Sequence, residues 1–405
     1  MKRSSLYVLV IALFLFLNNF FGAIKIPPVL QFIALLSFLV FGWNRPTKFR
    51  VAFVLIIVGF ICSAFSCYYY RGQSVIYTAM AMKWYYGIFF YFFLKKQKVP
   101  LRVMENIVAI LILLFDIAFI SQYILLDYGV NFLRIEDWNL GEQESGGNRL
   151  RVMSSGLYSL GIFYGLTKYK MTYKSIYFVF IIGGIICLLL SGFRQLLASA
   201  VITYVIFAYM MGIKMSFRNL LGAVCLVVAI FLIYNNPEVQ IKIQGMAYRN
   251  EGQTLNNENY ARVLQLKYYL SDHFKSPVEF FLGSGYPHPD SKYGAYLRNH
   301  YTFVDWGLLG QIWTLGFISV GGFLFFAIKA IYLKVNKEYC YIAFWYLFLL
   351  LSSLTNYEFM RNGNFLLHGA VLYMVELAAN EKNFKQMLER GRHDKYKLFK
   401  LEGHL

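Results

Sequence analysis

The chain has few charged residues and few cysteines, prolines and histidines. Asp, Glu, Lys and Arg make up 15% of its 405 residues, whereas hydrophobic residues make up 58% and mean hydropathy is +0.49. Soluble domains usually carry about 25% charged residues. The shortage of charge excludes an ordinary soluble domain and is typical of a protein that crosses the membrane many times.

Further absences narrow the chemistry. No C-x-x-C pair occurs, so neither a zinc site nor a disulfide framework is indicated for the cysteines, which are Cys62, Cys67, Cys187, Cys225 and Cys340. No D-x-D pair occurs, and the sequence gives no reason to expect a metal or another cofactor. Internal repeats are not visible either, although many transporters are built from them.

Acidic residues are also few, 21 against 39 Lys and Arg, which leaves a net charge of +18. Nucleic-acid binding requires a basic patch on a folded face, and the sequence shows none. The basic residues lie mostly between apolar runs, where they suit anionic lipid headgroups. Membrane lipid is therefore an expected partner, and nucleic acid is not.

Long apolar runs dominate what is present. A transmembrane helix needs about 20 mostly apolar residues, and the sequence predicts about 12 of them in an all-α polytopic membrane protein. The predicted spans begin near Leu6, Ile26, Phe49, Ser74, Asn106, Met153, Ser175, Gln195, Asn219, Thr302, Tyr339 and Asn364. The first apolar run has no clear cleavage site and is interpreted as a retained span.

The basic residues predict the orientation. With the N-terminus inside, inner segments hold 24 basic residues and outer segments hold 14, of which seven lie in one long loop. Lys and Arg favour short cytoplasmic loops, so we expect both termini inside. The predicted organisation is spans one to nine over 1–234 with an outer loop at 127–152, a large outer loop over 235–300 with short helices, three spans over 301–379 and a basic cytoplasmic tail over 380–405.

Arginine is favoured over lysine on the predicted outer side. Nine Arg and five Lys lie outside, against seven Arg and 17 Lys inside. Arginine binds phosphate or carboxylate through two parallel hydrogen bonds and keeps its charge, so the bias favours an anion site there. The alternative is that these arginines pair with loop carboxylates such as Glu136, Asp137 and Glu142.

Four stretches, taken in order, resemble the O-antigen polymerase and ligase superfamily of the Wzy type. They are "NRLRVMSSGLYSLGIF", "LLLSGFRQLLASA", "NYARVLQLKYYL…FFLGSGY" and "RNHYTFVDWGLLG", and together they cover roughly 149–322. The register departs from the family pattern at Ser191, which is displaced by two residues. Gly307 and Gly310 also lie closer to His300 than the family's Gly-x-x-Gly lies to its histidine.

The resemblance implies a helical bundle of the C-type glycosyltransferase class and a metal-independent enzyme without cofactors. By motif, it implies catalytic roles for Arg194, Arg262 and His300. The implied binding residues for substrate and pyrophosphate are Arg149, Arg151, Arg298, Gly283, Gly285 and Tyr286. Of these, Arg149 and Arg298 rest on the outer arginine bias, and Tyr286 on its ring, which suits either a sugar or the interfacial aromatic belt.

The resemblance also implies the substrate and the compartment. The family acts in the bacterial inner membrane on glycans carried by undecaprenyl pyrophosphate, facing the periplasm, in lipopolysaccharide or capsule synthesis. A polymerase moves the growing chain onto the next lipid-linked repeat unit, and a ligase moves a finished chain onto lipid A–core. A chain-length regulator and a flippase are the implied protein partners.

The residues allow a rival from another class, a flippase or transporter of lipid-linked oligosaccharides. Such proteins share the predicted layout of many spans, but they usually bind at the bilayer midplane. Two ionisable residues, Lys83 and Asp116, fall near the middle of neighbouring predicted spans. Ionisable residues are costly there unless they are paired, so we predict a structural ion pair between them.

Overall fold

The computed structural model describes residues 3–41, 46–126, 128–135, 150, 152–192, 194–212, 261–300, 303, 306–354 and 356–402. This part of the chain is helical and contains no strand. Its α-helices are α1 (Arg3–Leu17), α2 (Pro28–Ser37), α3 (Arg50–Arg71), α4 (Val75–Ala81), α5 (Phe90–Gln97), α6 (Leu101–Leu126), α7 (Gly156–Thr172), α8 (Phe178–Leu190), α9 (Arg194–Met210), α10 (Ala261–Ser271), α11 (Pro277–Leu282), α12 (Lys292–His300), α13 (Gly307–Tyr332), α14 (Tyr341–Ser352) and α15 (Asn364–Glu402).

Three of these helices, α3, α6 and α13, are long and apolar enough to cross a membrane. The helix count of the described part supports a membrane protein and leaves the number of spans a prediction. The fourth predicted span is interrupted, since a 3-10 turn over Lys83–Phe89 separates α4 from α5. The ninth lies outside the described residues.

The core is built by helix pairs that approach closely at small residues. Gly59 of α3 lies against Ser319 of α13, and Gly322 of α13 lies against Ala52 and Ile56. A side chain at either glycine would meet backbone atoms of the partner helix, so the pair requires the absence of a Cβ. Around this pair, α14 packs on α7, α9 and α13, and α15 packs on α5 and α6.

The bundle has two chemically different ends. At one end, α3 finishes and α7, α9, α13 and α15 begin, and the described residues of 272–300 and 353–363 contact these helix ends. We call this the loop end. At the opposite end, the basic end, Lys168 pairs with Glu105 at 2.6 Å and Lys95 pairs with Glu376 at 2.6 Å. The lysine-rich connections therefore lie away from the loop end.

A break in α13 joins the loop segment to the bundle. Gly316 has φ 78° and ψ 165°, so the helix is interrupted after its second turn. The interruption frees the carbonyl oxygens of Trp313 and Thr314, which accept hydrogen bonds from the amides of Ser284 at 2.8 Å and Gly285 at 3.0 Å. Buried backbone groups need such partners. Loop residues 283–285 therefore supply the hydrogen bonds that the interrupted helix lacks.

Candidate functional site

Two polar clusters lie at the loop end. The first, called the Glu358 cluster, consists of Ser155, Glu358, Arg361 and Asn364. Glu358 is fully buried; Ser155 Oγ donates to its Oε1, and Arg361 Nη2 lies 3.0 Å from its Oε2. Burying a carboxylate without such partners would cost several kcal/mol, so the cluster is organised around this charge.

Asn364 connects the Glu358 cluster to two helix starts. Its side chain donates to the Glu358 carbonyl at 2.8 Å and accepts from the Gly156 amide at 2.9 Å. Gly156 opens α7 and Asn364 opens α15. A helix leaves its first amides without intrahelical partners, and here one side chain satisfies such an amide on the neighbouring helix.

The same turn also touches the starts of α9 and α13. Gln195, beside Arg194 at the start of α9, donates to the Ser352 carbonyl at 3.0 Å. The Leu308 amide, at the start of α13, donates to the Ser353 carbonyl at 3.0 Å. The segment 352–364 therefore meets the N-terminal ends of α7, α9, α13 and α15. Helix N-termini carry partial positive charge, and the buried Glu358 carboxylate lies among these ends.

The second cluster, called the Glu279 cluster, consists of Arg71, His273, Glu279 and Tyr293. Arg71 Nε lies 2.6 Å from Glu279 Oε1, its Nη2 donates to the His273 carbonyl, and its guanidinium lies 5.5 Å from the Tyr293 ring centroid. Glu279 is fully buried and also accepts from the Lys275 amide at 2.7 Å. The cluster fastens the loop segment to the end of α3.

Burial controls protonation in this second cluster. Burial, and then the charge of Arg71, lower the pKa of His273 from 6.5 to about 3. Burial raises the pKa of Tyr293, whose hydroxyl donates to Ser284 Oγ at 2.9 Å. Both rings are therefore neutral at physiological pH, and the only charges of the cluster are those of the Arg71–Glu279 pair.

The structure describes only some of the residues predicted for the site. Arg149 and Arg151 lie outside the described residues, next to Leu150 and Val152, which are buried. For Arg194, Arg298 and His300 the description covers the helical backbone and not the side chain. Their roles remain predictions.

The helical positions of these residues are nevertheless informative. Arg194 opens α9, one residue from Gln195 and thus beside the 352–364 segment. His300 closes α12, three residues before Phe303, whose ring lies 5.2 Å from that of Tyr286. Arg262 is half-buried in the first turn of α10.

The "G-x-G" turn has a structural explanation in the backbone of its two glycines, Gly283 and Gly285. Gly283 has φ 87° and Gly285 has φ 80°, a region that glycine adopts without strain. A Cβ on Gly283 would meet Thr314 O at 2.5 Å, and one on Gly285 would meet the Cys67 side chain. The Tyr286 ring lies 5.6 Å from Tyr85. These residues pack the loop onto the bundle.

The predicted ion pair between Lys83 and Asp116 is wrong. Asp116 Oδ1 lies 3.6 Å from Cys187 Sγ, and its Oδ2 has no hydrogen-bond partner among the described residues. Lys83 Nζ instead lies 5.5 Å from the Trp84 ring centroid. The reason is the 3-10 turn that starts at Lys83, which replaces the straight span assumed in the prediction.

Sequence reasoning did not single out Glu279 or Glu358, the buried carboxylates of the two clusters. Arg71 and Arg361 belong to the outer arginines, and each pairs with one of these carboxylates. For these two arginines, the alternative that they pair with carboxylates therefore holds. Their partners are Glu279 and Glu358 rather than the loop acids Glu136, Asp137 and Glu142. The i,i+3 spacing of Glu358 and Arg361 was a usable signal; Arg71 and Glu279 are too far apart in sequence to give one.

Among the described residues, neither a metal site nor the cavity at the basic end contributes to the candidate site. In the described ranges, no group of three His, Cys, Asp or Glu side chains is placed to hold a metal. A cavity of about 450 Å³ lies at the basic end beside Lys95, Tyr373, Glu376 and Asn380. Lys95 and Glu376 are paired with each other there.

Comparison with family models, with curated proteins and with solved structures finds no match to this chain.

Proposed function

We propose that the chain is a metal-independent membrane glycosyltransferase that polymerises lipid-linked oligosaccharide repeat units. In this proposal, the growing glycan leaves undecaprenyl pyrophosphate and is joined to the next lipid-linked repeat unit. The product is an O-antigen or capsule polysaccharide. The proposal takes the predicted twelve spans with both termini inside, and on that prediction the loop end faces the periplasmic side of the bacterial inner membrane.

The observation that carries the proposal is the meeting of four helix N-termini at the 352–364 segment, with Arg194 opening one of them. Arg149 and Arg151 lie a few residues before the start of α7 in the sequence. Helix N-termini and arginines are the usual ligands of phosphate groups. A lipid pyrophosphate anchored in the bilayer would reach such a site at the membrane surface.

The chemistry assigned to the site is a substitution at the anomeric carbon of the donor sugar. The acceptor hydroxyl oxygen forms a bond to that carbon, and the bond from the carbon to the pyrophosphate oxygen breaks. Arginines and helix N-termini stabilise the charge that develops on the leaving pyrophosphate. His300 is the proposed base for the hydroxyl proton, since histidine titrates near neutral pH and base catalysis contributes about 10²–10⁴ in rate.

Two observations favour the flippase as a second candidate. α13 is interrupted at Gly316, and Asp116 is a buried carboxylate inside a candidate span. Transporters use broken helices and intramembrane charges. The break in α13, however, is closed by hydrogen bonds from the loop at Ser284 and Gly285, which favours the enzyme. A ligase remains the alternative within the enzyme class.

The test is the chain length of the surface glycan after deletion of the gene in its host. We expect a single repeat unit on the normal anchor, and restoration of the ladder by wild type and by Arg134→Ala, an exposed arginine that serves as the control. Arg194→Ala, Arg262→Ala and His300→Ala should express but fail to restore it.

Other outcomes would reject the proposal. Full-length polymer that accumulates on undecaprenyl pyrophosphate would indicate a ligase. Repeat units that accumulate on the inner leaflet would indicate a flippase. Full restoration by all three variants would remove the assigned site.

A further inference from the structure

Five buried polar atoms without hydrogen-bond partners lie on α10 with its C-terminal extension and at the start of α13. They are Gln265 Oε1, Tyr269 OH, His273 Nε2, Trp306 Nε1 and Trp313 Nε1, all unsatisfied within the described part of the chain. A buried polar atom without a partner usually costs about 1–3 kcal/mol of stability. Such a concentration on one interface marks it as a candidate for ordered water or a bound ligand.

The five atoms belong to two facing surfaces. Gln265, Tyr269 and His273 are spaced by four residues and follow one side of α10 and its C-terminal extension. Trp306 precedes the first residue of α13, and its ring packs beside that of Trp313 in the helix. The rings of Tyr269 and Trp313 stack with centroids 4.3 Å apart and an interplanar angle of 10°, so the two surfaces are in direct contact.

Aromatic faces and polar atoms alternate within this interface. The Trp306 ring lies 6.1 Å from Trp313, and the His273 ring lies 4.6 Å from Tyr269. Tyr269, His273 and Trp313 are fully buried, and Gln265 is 7% exposed. Pockets lined by aromatic rings with a few convergent polar groups are typical ligand sites.

The polar atoms define the chemistry of the ligand. The two indole N–H groups donate, the Gln265 oxygen accepts, and the Tyr269 hydroxyl does either. The ligand must therefore both donate and accept, as several hydroxyl groups on one molecule do.

The charges around the interface restrict the class of ligand further. The five side chains themselves bear no charge, since His273 is neutral because burial lowers its pKa. Beside them, Arg71 and Glu279 pair at 2.6 Å, Arg262 on α10 is half-buried, and Lys267 and Asp272 are exposed. A phosphate would find no cation among the five side chains, and a lipid chain would leave their polar atoms unpaired. A neutral pyranose ring, with apolar C–H faces and hydroxyl edges, satisfies both requirements.

We propose that a neutral pyranose unit of a glycan binds between α10 and α13, where it separates Tyr269 from Trp313 and pairs with the five polar atoms. This inference rests on the proposed function, since it assigns a sugar subsite to the same enzyme. The subsite lies close to the predicted base, because Phe303, three residues after His300, belongs to the same aromatic cluster as Tyr269 and Trp313.

The test uses the full-length protein in lipid nanodiscs and calorimetric titration. The probe is the phosphate-free oligosaccharide released by mild acid from the surface glycan of the strain that carries the gene. We expect saturable binding to wild type and an affinity about 5–10-fold lower for Gln265→Leu and for Tyr269→Phe, which each remove one hydrogen bond. Tyr296→Phe, which removes a hydroxyl from a residue of the same loop that is 49% exposed, serves as the matched control.

Thermal unfolding without the probe supplies the second readout. If the atoms have no structural partner, Gln265→Leu and Tyr269→Phe should leave the Tm unchanged or raise it by about 1–3 °C. A lower Tm in both variants would mean that these atoms stabilise the fold, and would overturn the proposal. Absence of probe binding to wild type, or equal binding to wild type and variants, would overturn it too.

The two proposals fail separately. If the polymer ladder depends on Arg194 and His300 but the oligosaccharide does not bind, the enzyme assignment stands and the subsite is wrong. If the oligosaccharide binds at the subsite but deletion of the gene leaves the ladder intact, the subsite stands and the polymerase assignment is wrong.

Discussion

Arg71 at the end of α3 and Glu279 in α11 lie 2.6 Å apart although 208 residues separate them in the sequence. The Glu279 side chain is fully buried, and that of Arg71 is 11% exposed. Removing one partner from a buried pair leaves the other charge uncompensated, which costs about 3–5 kcal/mol. We expect Arg71→Met and Glu279→Gln each to destabilise the protein by an amount of this order.

The measurement is a double-mutant cycle on the Tm of the purified protein. The double variant should be less destabilised than the two single variants added together, because neither charge is then left alone. Arg134→Met, at an exposed position, should have little effect. Additive effects of Arg71→Met and Glu279→Gln would show that the pair does not act as a unit.

Gly316 and Gly321 of α13 provide a matched comparison. Gly316 has φ 78°, and a Cβ there would meet the backbone of Leu282 and Gly283, whereas a Cβ on Gly321 meets nothing within 4 Å. Gly316→Ala should separate the loop from the helix and reduce the yield of folded protein sharply. Gly321→Ala should be tolerated or should stabilise the helix by up to about 1 kcal/mol. Equal behaviour of the two variants in size-exclusion chromatography would contradict the structure.

The buried His273 predicts sensitivity to acid. Its pKa is lowered from 6.5 to about 3 in the folded chain, so below pH 6.5 the unfolded chain binds a proton that the folded chain does not. Its contribution is fully present above pH 6.5 and is lost as the pH falls toward 3, at about 1.4 kcal/mol per pH unit.

The pH dependence is measured as the Tm between pH 7 and pH 4. His273→Gln should flatten this dependence, because the titrating ring is gone. His288→Gln is the control, since His288 is only half-buried and lies 3.8 Å from Asp290. A wild-type Tm that does not change over this range would contradict the assignment.

Two pairs of ionisable residues should differ in coupling. Lys95 Nζ lies 2.6 Å from Glu376 Oε1, while Lys83 and Asp116 have separate neighbours. Double-mutant cycles with Met for Lys, Gln for Glu376 and Asn for Asp116 should give a coupling of about 0.5–3 kcal/mol for the first pair and close to zero for the second. A coupling of the second pair as large as that of the first would restore the predicted ion pair.

The hydropathy of the chain predicted the membrane class and the all-helical character, because apolar runs of spanning length have few other interpretations. It did not predict the 3-10 turn at Lys83 or the break at Gly316, since both depend on what packs beside them. The break exists because Ser284 and Gly285 supply partners for Trp313 and Thr314, and such long-range pairing leaves no local pattern in the sequence.

For the candidate site, the sequence predicted the location but not the interacting partners. The outer arginine bias pointed to the end of the bundle where Arg71 and Arg361 lie, but not to their partners. Glu279 and Glu358 carry no local motif that separates a buried carboxylate from a solvated one. The unpaired atoms of Gln265 and Tyr269 are visible only after folding, because hydrogen-bond satisfaction is a property of the neighbours.

α15 runs continuously from Asn364 to Glu402, 39 residues or about 58 Å. Asn364 holds the start of α7 at one end of the bundle, and Glu376 holds Lys95 toward the other. Because each residue advances a helix by 100°, a deletion of one residue between them would turn the two anchor points out of phase. The length of this stretch is therefore fixed by geometry, and its side chains are constrained too, since every residue from 364 to 376 is buried.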